Sequence, residues 1–224
     1  MAFQSMQTRQ EIFDSVTQIK QVSQQPSDFL TDILIQQQQY SSIEWLYHFN
    51  LLAEVPLPPD SISYPDAAAK IGVSESTLRA VARMAMTANF LCETKDGKLA
   101  HNSLSASFVE DEGLAAWLSY LIKGSVPCMR AFPDATRKWS DSRKRNEAAY
   151  NVAMSTELSF FEHLKANPNL SAEFGKYMKS QSTVATGTSA DHLLKGYDWE
   201  ALGDAKIVDV SDLLPVDWTI LTQN

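Results

Sequence analysis

His163 follows two phenylalanines and a glutamate in the run Ser159-Phe-Phe-Glu-His163. A neutral imidazole among aromatic side chains can take up and return a proton near neutral pH. His163 is therefore the candidate catalytic residue. Its neighbour Glu162 offers no ready partner, because consecutive helical residues do not face each other. The other histidines, His48, His101 and His192, stand alone in the sequence. No glycine-rich phosphate loop, no His-Glu-x-x-His pair and no clustered Cys/His spacing occurs, so no metal site is expected. Cys92 and Cys128 are isolated and read as buried or half-buried thiols. Trp117, Tyr120, Phe132, Met154, Phe160 and Phe161 make this part of the chain rich in flat, polarisable side chains. Such residues suit either a core or a flat ligand.

A second chemical signal lies near the C-terminus. Ala205-Lys-Ile-Val-Asp-Val210 reads as a buried parallel strand with a carboxylate near its end. A nucleotide-binding α/β unit needs a glycine-rich turn directly after such a strand, where the backbone approaches the ligand. Here Ser211-Asp-Leu-Leu-Pro-Val-Asp-Trp218 follows, and the last glycine is Gly203. The expectation is a cofactor domain that is begun and not built, with no bound cofactor.

These residues need elements to position them. Apolar positions Ile12, Phe13, Val16 and Ile19 recur at helical spacing within 4–24. Pro26 and Ser27 separate that helix from a second at about 28–52, kinked near Ser41-Ser42. Residues 64–71 form a short helix closed by Gly72, and Ser74 caps a third over 75–89. Its buried side is Leu78, Val81, Ala82, Met84 and Ala85. Asp96-Gly97 between two short apolar runs signals a two-residue β-hairpin turn. Beyond Leu104 the chain reads as helices at 113–124, 127–139, 146–166, 170–182 and 187–195.

Helix–turn–helix followed by a hairpin is a winged-helix arrangement. Between Asp60 and Ala100 five basic residues meet five acidic ones. The third helix offers Arg79 and Arg83 and no set of side chains to read base edges. The net charge of −8 and pI near 5.0 further disfavour nucleic acid and anionic membranes as partners. No apolar stretch is long enough for a membrane span, no secretory signal is visible, and a cytoplasmic location is expected.

Five stretches in order carry a family resemblance: Leu51-Leu-Ala-Glu-Val-Pro56, Gly72-Val-Ser-Glu-Ser-Thr-Leu-Arg79, Arg83-Met-Ala-Met-Thr87, Ser159-Phe-Phe-Glu162, and His192-Leu-Leu-Lys-Gly-Tyr-Asp-Trp199 running on to Ile207-Val-Asp-Val210. Over about 28–210 the chain resembles fungal members of the plant-type (class I) S-adenosylmethionine-dependent O-methyltransferases. The resemblance implies a mainly α fold: a helical winged-helix dimerisation domain, followed by only the first strand of an α/β Rossmann-like domain. It divides the chain into dimerisation helices (1–53), a winged-helix segment (54–104), a helical substrate-pocket segment (105–203) and a truncated start of the donor-binding domain (204–224).

The resemblance places Trp117, Tyr120, Phe132, Met154, Phe160 and Phe161 along the family's aromatic substrate pocket. The family's F-x-x-x-M-x-x-x-S pattern appears as Phe174, Met178 and Ser182, so Met178 is expected to pack on an acceptor ring. The family's late catalytic histidine and donor-binding loop have no counterpart, and residues 211–224 resemble nothing in it. The expected function is that of an O-methyltransferase-like protein of secondary metabolism that does not methylate by itself. It would bind an aromatic or polyketide-like molecule and assist a cyclisation, dehydration or isomerisation. Two alternatives stand beside it: a non-catalytic subunit pairing with a full-length methyltransferase-like protein, and a fragment of an active O-methyltransferase. A homodimer or such a heterodimer is expected, because two amphipathic N-terminal helices would otherwise leave a large apolar surface.

Overall fold

The computed structural model describes residues 6–184, 196–199, 201 and 203. The expected helix at 187–195, the strand at 205–210 and His192 lie outside the described residues. The chain divides into two compact units, Met1–Leu104 and Ser105–Asn224.

The first unit opens with α1 (Met6–Ser23) and α2 (Pro26–His48). Pro26 is the first residue of the second helix, where proline is tolerated because the amide would be unpaired anyway. Asp28 accepts a hydrogen bond from the Gln25 amide at 3.0 Å and closes the N-terminus. The helix is continuous through Ser41-Ser42, where Ser42 donates its hydroxyl to the Gln38 carbonyl at 2.9 Å, a bond that tends to bend a helix locally. After Asn50 in a left-handed conformation, α3 (Leu51–Glu54) is a single turn.

α4 (Tyr64–Ile71) is capped by Ser63 and closed by Gly72 at φ 71°. α5 (Glu75–Met86) is capped by Ser74, which accepts from the Thr77 amide. Leu78, Ala82 and Ala85 face inward, and α5 packs on both α2 and α4. Strands β1 (Cys92–Glu93) and β2 (Leu99–Ala100) form the antiparallel wing, with Cys92 opposite Ala100. Its turn differs from the two-residue expectation. Gly97 donates to the Thr94 carbonyl and Thr94 to the Lys98 carbonyl, both at 2.9 Å, so Lys95-Asp96-Gly97 form a three-residue loop. Only Gly97, at φ 74°, is left-handed, which is the bulged turn that needs one glycine rather than two positive-φ residues. Leu46, Leu51, Tyr64, Leu78, Leu91 and Leu99 form the buried centre of this unit.

α6 (Ser103–Glu110) leads into the second unit. There α7 (Glu112–Tyr120), a π-helical turn at Leu121–Ser125 and α8 (Val126–Trp139) follow one another without a loop. Gly124, an expected break, lies inside that π turn. α9 (Ala149–Ala153), α10 (Phe160–Ala166) and α11 (Pro168–Val184) complete the described helices. α7 packs on α11, α8 on α9, and α10 on α11. The expected single helix over 146–166 is in fact two short helices joined by residues 154–159. Ser155 is left-handed at φ 49°, and Glu162 caps the new start at Ser159. Among the described residues no helix is long and apolar enough to cross a membrane.

Candidate functional site

The break at 154–159 builds the site. In one continuous helix Tyr150 and His163, thirteen residues apart, would be separated by about 20 Å. With the chain folded back, the Tyr150 Oη lies 2.7 Å from His163 Nδ1. Two devices shape the turn. Glu162 accepts from the Ser159 amide at 2.9 Å and from its hydroxyl at 2.6 Å, which fixes the start of α10. These hydrogen bonds hold the Glu162 carboxyl below its usual range and commit it to the cap rather than to His163. Asn151, only 5% exposed, donates Nδ2 to the carbonyls of Thr156 (2.9 Å) and Leu158 (2.8 Å). Its Oδ1 accepts from the Ala148 amide at 3.3 Å.

From this pair a row of rings runs across the unit. Tyr150 meets Phe160 edge-on at 5.0 Å between centroids, and Phe160 meets Phe174 at 5.0 Å. Phe174 meets Tyr120 at 5.6 Å, and Tyr120 stacks on Tyr177 at 4.0 Å. Each of these five rings is half-buried, so the row is a wall open on one side rather than a closed core. Burial raises the Tyr120 phenol, and the nearby Tyr177 phenol, Cys128 thiol and Tyr150 phenol add to the effect. Burial, then Cys128, likewise raises the Tyr150 phenol above its ordinary value. The Cys128 thiol is itself raised by burial, which suppresses the thiolate.

The π turn supports one end of the wall. A side chain at Gly124 would come within 3.2 Å of the Tyr120 ring, so glycine leaves the space that ring occupies. π turns recur at functional positions because they re-aim the side chains around them.

Of the residues expected to form a pocket, Tyr120, Phe160 and His163 stand in the wall. Phe161 touches Phe160 at 5.2 Å but is 61% exposed. Trp117, Met154 and Met178 are half-buried. Phe132 does not join the row; α8 turns it outward, 66% exposed, beside an equally exposed Met129. Sequence reasoning missed Tyr150, Tyr177 and Asn151. The signal for the turn was present as Ser159-x-x-Glu162, a capping box. Of the other described histidines, His48 is exposed at the end of α2, and His101 is buried with Nε2 3.0 Å from the Leu52 carbonyl.

A cleft of about 560 Å³ also opens in this unit, lined by residues that include Lys138, Trp139, Glu147, Asn151 and Glu157. Neither Tyr150 nor His163 lines it. Several of its groups already bond one another, as Asn146 does to the Glu157 carbonyl and Asn151 to Thr156. The ring wall, where a titratable pair meets apolar surface, is the better candidate for chemistry.

The arginines of the winged helix are engaged. Arg83 donates Nε (2.9 Å) and Nη2 (3.2 Å) to Glu93, and Arg79 pairs with Glu75 at 2.7 Å while lying 4.0 Å from the Tyr64 ring centroid. Tyr64 donates its hydroxyl to Glu93 at 2.6 Å.

With its winged helix and the aromatic wall of its second unit, the chain is similar to the N-terminal half of fungal O-methyltransferase-like proteins of the plant type. It is 48% identical over 202 residues to the O-methyltransferase fsr2 of Gibberella fujikuroi, a match covering 90% of this chain and 52% of that protein. It is 39% identical to the O-methyltransferase aurJ of Gibberella zeae, covering 82% of this chain and 41% of that one. The chain thus spans about half the length of the curated relatives it matches. Among solved structures, one described as a pericyclic reaction enzyme superposes with TM-score 0.69 at 18% identity, covering 90% of this chain and 51% of its own. At that identity the likeness speaks to fold alone. No protein-family profile matches the chain.

Proposed function

We propose that this chain acts in natural-product biosynthesis by seating a flat aromatic or polyketide-like molecule against the wall from Tyr150 to Tyr177. The Tyr150–His163 pair then moves a proton in a step that needs no methyl donor: a cyclisation, dehydration or isomerisation. The single observation carrying this reading is the 2.7 Å contact between Tyr150 Oη and His163 Nδ1 at the end of a half-open ring wall. Aromatic faces supply binding area at low entropy cost, and a tyrosine–imidazole pair supplies the proton path. One protein with this scaffold is described as a pericyclic reaction enzyme, so the scaffold itself is compatible with ring-forming chemistry. Trp117, Met154 and Met178 are assigned to the outer lining of the same surface.

A second reading rests on the coverage of 52% and 41% of the relatives. A further domain, on a longer chain or on a methyltransferase-like partner, would close the wall and supply the methyl donor. In both readings α1 and α2 pair with a second subunit. Every described side chain of α1 is exposed, among them Phe13 at 56%, Val16 at 58% and Ile19 at 65%, beside Leu30 at 67% and Leu34 at 58% on α2. An apolar surface of that extent marks an interface.

The test is to incubate the purified 224-residue protein with a panel of phenolic and polyketide-like compounds. Binding and product formation are read with and without S-adenosylmethionine. Turnover without the donor that is lost in H163Q supports the first reading. Binding with no product, and methylation once a full-length relative is added, supports the second. No binding by the chain alone refutes the first reading, and no change in binding or methylation when a full-length relative is added refutes the second.

A further inference from the structure

The end of α8 and the loop after it concentrate basic charge on an acidic chain. Arg137, Lys138, Arg143, Lys144 and Arg145 all fall within 137–145 of a protein whose net charge is −8. Two serines stand among them, and the fold treats them differently. Ser142 is half-buried and donates its hydroxyl to Glu147. Ser140, directly after the last residue of α8, is exposed, and among the described residues its hydroxyl makes no hydrogen bond. Its backbone stands at φ 53° and ψ −116°, a conformation that a residue with a side chain holds under strain.

Arg137 and Lys138 precede Ser140 by three and two residues. Arg137 pairs with Asp134 on the exposed surface of the same helix, an arrangement that contributes little in water. The Lys138 Nζ lies over the Trp139 ring, 4.4 Å from its centroid. Opening the last turn of α8 breaks the 2.8 Å bond from the Ser140 amide to the Thr136 carbonyl and relieves the strain at Ser140. Helix ends fray readily. The opened turn presents an arginine and a lysine upstream of a free hydroxyl. A kinase groove lined with carboxylates pairs with cations at this spacing.

We infer that Ser140 is a phosphorylation site for a basophilic serine kinase, and that Arg143 and Lys144 hold the phosphate once it is attached. Ser140 Oγ attacks the γ-phosphorus of ATP, and its proton passes to the catalytic carboxylate of the kinase. The bond from that phosphorus to the bridging oxygen breaks, and ADP leaves. Arg143 is exposed and, among the described residues, makes no ion pair. Lys144 bonds Glu147 at 2.8 Å; a phosphate dianion attracts its ammonium more strongly than one carboxylate does. The negative end of α8 opposes a phosphate here, so its attachment depends on these two cations. Drawing Lys144 away from Glu147 loosens the loop just ahead of α9, the helix that carries Asn151.

The folded 224-residue protein is incubated with ATP and the catalytic subunit of cAMP-dependent protein kinase, and the product is mapped by tandem mass spectrometry. The expected result is one phosphate, on Ser140. S142A keeps it; S140A loses it, as does R137A combined with K138A, each variant checked for folding by circular dichroism. In ³¹P NMR the phosphate of the folded protein gives up its second proton at lower pH than that of the urea-unfolded protein. R143Q combined with K144Q removes that difference. No phosphate, a phosphate on Ser142 instead, or one on Ser140 only after unfolding overturns the site. A phosphate on Ser140 that titrates alike in both states overturns its attachment to Arg143 and Lys144.

Discussion

Asn151 carries the connection between fold and chemistry, and its removal has a calculable cost. Asn151→Ala deletes two donated hydrogen bonds, to the Thr156 and Leu158 carbonyls, and one accepted from Ala148. Each is worth roughly 0.5–1.5 kcal/mol net, so the loss of all three is about 1.5–4.5 kcal/mol. The site is 5% exposed, which leaves water poorly placed to replace them. Asn151→Asp keeps the shape and the acceptor but turns a carboxylate oxygen toward two carbonyls, and is expected to cost at least as much as alanine. The assay is urea unfolding followed by Trp139 and Trp117 fluorescence, with hydrogen exchange on peptides spanning 148–163. Exchange should rise across 154–159 while the winged-helix peptides stay unchanged. Because α10 is placed by this loop, the ¹⁵N signal of His163 Nδ1 should also lose its hydrogen-bonded shift. A cost below about 1 kcal/mol, or an aspartate milder than the alanine, would refute the reasoning, since neither fits three buried bonds of which two need a donor.

Three further outcomes are expected. Glu93→Gln lowers stability at neutral pH, because Arg83 first and Tyr64 second hold the Glu93 carboxyl below its ordinary value near 4.5. A depressed carboxyl stabilises fully above its unfolded value and loses the contribution as pH falls through its folded one. The difference from wild type in urea titrations should therefore disappear on the acid side of that value, and a difference that grows there counts against the network. Gly124→Ala presses a methyl group against Tyr120 at 3.2 Å. The helical gain of alanine, roughly 0.5–1 kcal/mol, is outweighed by overpacking of about 1–3 kcal/mol. The net loss of about 1 kcal/mol is read from the unfolding midpoint, and a stabilised variant contradicts the assignment. Val16→Arg with Leu34→Arg should halve the sedimenting mass of the protein without altering its circular dichroism; an unchanged mass removes the α1–α2 surface as the interface.

Much of this molecule was legible from residue types and spacing. The cap Ser74 acts through the atoms next to it in sequence, so that helix start follows from local chemistry; Ser63 and Ser159 cap in the same local way, but the run over 146–166 reads as one helix through Ser159. Gly72 and Gly97 mark left-handed positions for the same reason. The charge balance of the winged helix was visible as a count, and the ion pairs of Arg79 and Arg83 give it a geometry. The aromatic composition of 105–184 and the candidacy of His163 were likewise open to reading. The partner of His163 was not. Tyr150 lies thirteen residues away, and helical periodicity alone runs one helix through both, about 20 Å apart. Only the folded chain, in which Asn151 holds the 154–159 turn from a buried position, brings the phenol to the imidazole. Phe132 shows the converse: its type fits a pocket, and the register of α8 turns it to solvent. Local hydrogen bonds and periodicity decide where helices start and which side is apolar, because those energies act within a few residues. Which apolar side chains form a wall, and which polar pair stands at its end, depends on contacts between helices, and that choice belongs to the tertiary structure alone.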